Sequence, residues 1–112
     1  MAGPSAADAS RTAAVFDALG DPTRRAVLEA VAASGPVTAT ELARTFPVSR
    51  QALVKHLTAL AAADLVTAER EGRDVRYRLT PASLDGAAAW LGEVGGRWDA
   101  RLARLRASLA GD

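Results

Sequence analysis

The most constraining stretch of this chain lies between residues 38 and 63, where two helix-start signals stand close together. Thr38-Ala39-Thr40-Glu41 has the form of a capping box. In that motif the Thr38 hydroxyl accepts from the Glu41 N–H, and the Glu41 carboxylate reaches back to the Thr38 N–H. A short helix holding Leu42 and Ala43 inward is expected to follow, closed by a tight turn at Phe46-Pro47-Val48. Ser49 then caps a second helix that runs to about Ala63, with Leu53, Leu57 and Leu60 on one face. Two short helices joined by so short a turn form a helix-turn-helix, and the remaining elements must be arranged around that pair.

The flanking segments supply those elements. Val15, Phe16 and Leu19 mark a first helix stopped by Gly20. Asp21-Pro22 opens a second, because Asp21 can accept from the first-turn N–H groups and Pro22 suits the first helical position. Its apolar face is Ala26, Val27, Ala30 and Val31, with Leu28 close by, and Ser34-Gly35-Pro36 ends it. Downstream, Leu65 to Glu71 and Val75 to Thr80 read as two strands around a turn at Gly72-Arg73-Asp74. The second strand alternates, with Val75, Tyr77 and Leu79 on one face and Arg76 and Arg78 on the other. Thr80-Pro81 opens a last helix in which Leu84, Leu91, Trp98 and Leu105 recur at heptad spacing, interrupted in character by Gly95-Gly96, where a kink is expected. The expected architecture is mainly α with a small β-hairpin, a winged helix-turn-helix of about five helices. Residues 1–9 form a loose arm, 10–80 the winged domain with its wing at about 65–80, and 81–112 a dimerisation helix.

Composition narrows the function. A chain of 112 residues fits one domain, and 49% hydrophobic with 4% aromatic residues means a core of Ala, Leu and Val. So thin a core is often completed by pairing with a second copy. The absence of Cys excludes disulfides and thiolate metal sites. No apolar run is long enough to span a membrane, and Met1 to Ser10 lacks the pattern of a signal peptide, so a cytoplasmic protein is expected. Enzyme chemistry finds no support, for there is one His, no Gly-rich phosphate loop and no nucleophile–base pair. Ser49 and His56 share a helix but stand too far apart for direct contact. A lone His56 cannot build a metal site, so neither a metal nor a cofactor is expected.

The net charge is only +1, but it is unevenly spread. From Ser49 to Ala63 the charged side chains are Arg50 and Lys55, while Arg70, Arg73, Arg76 and Arg78 crowd the hairpin. With the leucines of the second helix inward, Arg50, Gln51, Val54, Lys55 and Thr58 face out, a set suited to the major groove of double-stranded DNA. Arg or Lys can donate to guanine, Gln can pair with adenine, and Val54 can touch a thymine methyl. Arg73 at the hairpin tip and Arg76 beside it can meet phosphates or the minor groove. Thr38, Ser49 and His56 complete the candidate DNA contacts. The plainer alternatives are a solvated helix face and arginines that pair with Glu69, Glu71 and Asp74. A winged helix used only for protein–protein contact is the competing function, but it should show acids or a broad apolar patch on that face. Val15, Phe16, Leu91, Trp98, Leu102 and Leu105 are the candidate homodimer contacts. Trp90 and Trp98 either pack there or line a ligand pocket.

Several blocks occur in an order that resembles the ArsR (arsenic-repressor-like) family: Leu19-Gly20-Asp21-Pro22-Thr23-Arg24-Arg25, Glu41-Leu42-Ala43, Ser49 through Leu57, Glu71-Gly72-Arg73 and Tyr77-Arg78-Leu79. The resemblance implies dimeric repressors that release operator DNA when a signal arrives, with the first and last helices forming the dimer interface. Two departures matter. Where metal-sensing relatives place thiolates this chain has Ala43 and Thr45, and its last helix has Asp85, Glu93 and Asp99 but no His. The signal is then expected to be an unidentified small organic molecule, a partner or protein concentration, and not a metal. Val54 also stands where the family often has Ser, which bears on base preference.

Overall fold

The computed structural model describes residues 6–110, apart from the side chains of Asp8, Trp98, Leu102, Leu109 and Ala110. The elements in order are α1 (Ala6–Leu19), α2 (Pro22–Ser34), β1 (Val37–Thr38), α3 (Ala39–Ala43), α4 (Arg50–Ala62), β2 (Val66–Glu71), β3 (Asp74–Leu79) and α5 (Pro81–Ala110). This is the winged helix-turn-helix expected from the sequence. The expected arm over residues 1–9 is helical from Ala6 onward, and the rest of it lies outside the described residues.

The three short-range caps form as their residue types dictate. The Asp21 carboxylate accepts from Thr23 N at 2.8 Å and Arg24 N at 3.1 Å, closing the first turn of α2 behind Pro22. Thr38 Oγ1 accepts from Glu41 N and Ser49 Oγ from Ala52 N, each at 3.1 Å. One half of the capping box is absent. The Glu41 carboxylate does not turn back to Thr38 but pairs with Arg76, 35 residues away. A guanidinium in reach is a stronger partner for a carboxylate than a neutral backbone N–H.

The sheet has three strands in the order β1-β3-β2, so the wing is not a free hairpin. Val37 pairs with Tyr77 and Thr38 with Arg76, while β2 and β3 pair from Val66↔Leu79 to Glu71↔Asp74. The two-residue β1 carries no alternation a sequence reading could detect, and its pairing depends on a segment far along the chain. Gly72 takes φ +63 in the turn, a left-handed conformation that glycine adopts without strain.

The core lies between α2, α4, α1 and the sheet. Val15, Val27, Val31, Leu53, Leu57, Leu60 and Leu65 are fully buried, each contributing about 1.5–3 kcal/mol of transfer free energy. Val15 was expected at a dimer interface, but it is 0% exposed within the single chain. It points from α1 into the chain's own core and cannot present itself to a second copy. α5 packs on α1 over its first turns, burying Ala87, and is described as one uninterrupted helix through Gly95 and Gly96. From Ala88 onward every described side chain of α5 is exposed.

Candidate nucleic-acid interface

α4 stands on the leucine face that buries Leu53, Leu57 and Leu60, which turns its opposite side to solvent. Arg50, Gln51, Lys55 and Thr58 are exposed there, with Ser49 exposed at the helix start. Among the described residues no acid interrupts this face of α4. Thr58 Oγ1 donates back to Val54 O at 2.7 Å, which ties its hydroxyl to its own helix. Arg50 Nε donates to Thr40 Oγ1 at 3.1 Å and so links α4 to α3.

Four expected contacts sit differently from the sequence reading. Val54 is half-buried against the core and not fully outward, because the wing folds over this part of α4. Thr38 is only 8% exposed, since it belongs both to β1 and to the α3 cap. His56 is half-buried, and its Nδ1 is buried with no hydrogen-bond partner among the described residues. Arg76 does not extend to solvent as a free contact. Its NH1 meets Glu41 Oε1 at 3.1 Å and its Nε meets Glu71 Oε2 at 2.8 Å. Glu41, with Glu71, holds the Arg76 guanidinium above its ordinary pKa, so it remains charged within this bridge. Arg76 consequently pins β3 to α3 and to β2. Arg78 pairs with Glu69 at 2.7 Å, the local pairing weighed from the sequence.

Arg73 is exposed at the wing tip. It lines, with Arg50 from α4, a cavity of about 200 Å³ between the wing and the helix pair, which also meets Thr38, Thr40 and Asp74. In the sequence Arg50 and Arg73 stand far apart, as separate candidate contacts. Their convergence depends on β1 drawing the wing against α3, the pairing that no local signal announces.

Away from this face, α1 and α5 enclose a groove of about 520 Å³ lined chiefly by Ala9, Thr12, Phe16, Gly86, Trp90 and Glu93. Phe16 and Trp90 meet edge to face at 5.3 Å between centroids. Leu91 and Leu105 are 54% and 56% exposed on α5. The side chains of Trp98 and Leu102, also expected at an interface, lie outside the described residues. Among the described residues no cluster of His, Cys, Asp and Glu could hold a metal ion, and no helix is long and apolar enough to cross a membrane.

Comparison with known proteins agrees with this geometry. Residues 19–69 match a helix-turn-helix domain family. The transcriptional repressor SdpR of Bacillus subtilis is 32% identical over 77 residues, which cover 69% of this chain and 84% of SdpR. The HTH-type transcriptional regulator Rv2034 of Mycobacterium tuberculosis is 45% identical over 69 residues, 62% of this chain and 64% of that protein. Among solved structures, an ArsR-like transcriptional regulator from Rhodococcus sp. RHA1 superposes with a TM-score of 0.73 at 42% identity, covering 87% of this chain and 91% of that one.

Proposed function

The chain belongs to the ArsR family of winged helix-turn-helix transcriptional regulators, and on that premise we propose that it is a repressor that binds an inverted-repeat operator as a homodimer. It is a DNA-binding regulator of transcription and not an enzyme. The observation that carries the proposal is the exposed face of α4, where Arg50, Gln51 and Lys55 stand together without an acid. This helix enters the major groove with Gln51 and Lys55 at base edges, while the wing tip carries Arg73 to the adjoining backbone. The competing role as a protein-binding module has no acidic or broad apolar face on α4 to support it.

The homodimer forms through α5 and α1. Leu91 and Leu105 leave more than half of their surface in water in the single chain, and the Phe16–Trp90 groove lies between α1 and the same helix α5. A second copy covers such a face at low cost, because one patch then matches itself across a two-fold axis. Symmetry sets the two α4 helices about 34 Å apart, one turn of DNA. The signal that releases DNA is a small organic molecule or a partner, not a thiophilic metal, since the chain has no Cys and one His.

The test combines site selection from a random DNA pool with sedimentation. The wild-type protein should recover an inverted repeat and sediment as a dimer at micromolar concentration. Leu91→Glu should give a folded monomer that loses tight operator binding. A wild-type monomer that binds one half-site tightly would refute the dimer.

A further inference from the structure

We propose that the cavity between the wing and the helix pair is a seat for a single phosphate of the DNA backbone, gripped jointly by Arg50 and Arg73. The proposal rests on the DNA-binding reading and assigns Arg50 to the backbone and not to a base. A reading helix in the major groove and a wing on the adjoining face must straddle one strand, and the straddled strand passes between them. At that place the structure has a cavity of about 200 Å³ lined by Thr38, Thr40, Arg50, Val54, Arg73 and Asp74, among others. Two arginines from different elements line it, against one acid among the lining residues. Guanidinium is the side-chain group best matched to phosphate oxygens.

The bond from Arg50 Nε to Thr40 Oγ1 directs the assignment. It tethers the side chain toward α3 and the wing, on the cavity side of α4. A base reader needs the opposite disposition, reaching outward to the groove floor. Arg76 does not compete for the seat, because Glu41 and Glu71 already hold it. Glu41 and Glu71 thereby serve the site indirectly: they keep the third nearby guanidinium in the scaffold.

The experiment uses the full chain and measures affinity for the selected operator and for a random duplex across 50–200 mM salt. Arg50→Ala, Arg73→Ala and the double variant are compared with wild type, with Arg50→Lys as the conservative variant. One shared phosphate in each half-site predicts that the double variant loses about two units of salt slope per bound dimer, a drop across that range about 12-fold shallower than wild type. The losses should be equal on operator and random DNA, and Arg50→Lys should recover most of the affinity. A symmetric pair of methylphosphonate linkages, one in each half-site, scanned along the operator should identify one pair of positions at which wild type and double variant bind alike. Three results would overturn the site: a loss of about four units in the double variant, a loss at Arg50 confined to the operator, or no symmetric pair of methylphosphonate positions that equalises the two. Inorganic phosphate that binds in an Arg50-dependent way without competing with DNA would also overturn it, as a free-anion site. Failure of the wild-type protein to bind either duplex would instead strike the DNA-binding reading.

Discussion

Ser49 occupies two roles whose effects can be separated by one pair of substitutions. Its hydroxyl accepts from Ala52 N at 3.1 Å and so caps α4, and it lies exposed at the end of α4 proposed to meet DNA. Ser49→Ala removes the cap and leaves an N–H of the first turn to water, at a cost of about 1 kcal/mol of folding stability. In a domain of this size that lowers the melting temperature by about 4 °C. Ser49→Asp keeps a capping oxygen and places a negative charge at the positive end of the helix dipole, so stability should stay within a few tenths of a kcal/mol of wild type or rise. The same charge faces the phosphate backbone. Ser49→Asp should therefore weaken binding to operator and random DNA alike, by about tenfold or more at low salt, and the loss should shrink as salt rises. Urea unfolding followed by circular dichroism gives the stability, and fluorescence anisotropy of a labelled duplex gives the affinity. A Ser49→Asp protein that folds and binds as wild type would show that the start of α4 does not approach phosphate, and the docking would have to be redrawn.

Three further outcomes follow from the packing. Leu57→Ala, at a fully buried position, should cost about 3–5 kcal/mol and leave much of the chain unfolded at 37 °C, as read by thermal denaturation. Gly95→Ala should stabilise α5 by about 0.5–1 kcal/mol in urea unfolding, since a Cβ built there meets nothing within 4 Å in the single chain; a loss of stability would mean that a partner's backbone lies against that glycine. The Arg24 N–H, with that of Thr23 and the nearby His56 and Arg24 side chains, holds the Asp21 carboxyl below its ordinary value of 3.8. A lowered folded pKa gives stability that is fully present above 3.8 and is lost as pH falls below it, so Asp21→Asn should show its largest penalty at neutral pH, a smaller one in acid, and a flatter acid unfolding in that window.

The parts of the fold that could be read from the sequence are those whose causes are local. Asp21-Pro22, Thr38 and Ser49 each announce a helix through a side chain that reaches three residues or fewer, and all three helices begin where those residues stand. The leucines of α4 and the alternation of Val75, Tyr77 and Leu79 report burial directly. β1 was hidden because Val37–Thr38 is too short to show a period and gains its partner, β3, from far downstream. The same distance hid the Glu41–Arg76 bridge, and with it the reason why Arg76 is held in the scaffold. Val15 illustrates a different difficulty. An apolar residue on an amphipathic helix is legible as buried, but sequence does not say whether its own chain or a second one buries it.

The strand-to-helix junction at Thr38 limits how a signal can travel through this protein. Thr38 ends β1 and caps α3, and Ala39 is already helical, so no spare residue lies between sheet and reading unit. Motions within a domain need a few residues able to absorb a change in backbone angles, and none is available there. The sheet and α3 must travel together, like the jaw of a caliper fixed to its beam. In the proposed homodimer, an effector would then act on the spacing and tilt between two such jaws, leaving the shape of each jaw unchanged.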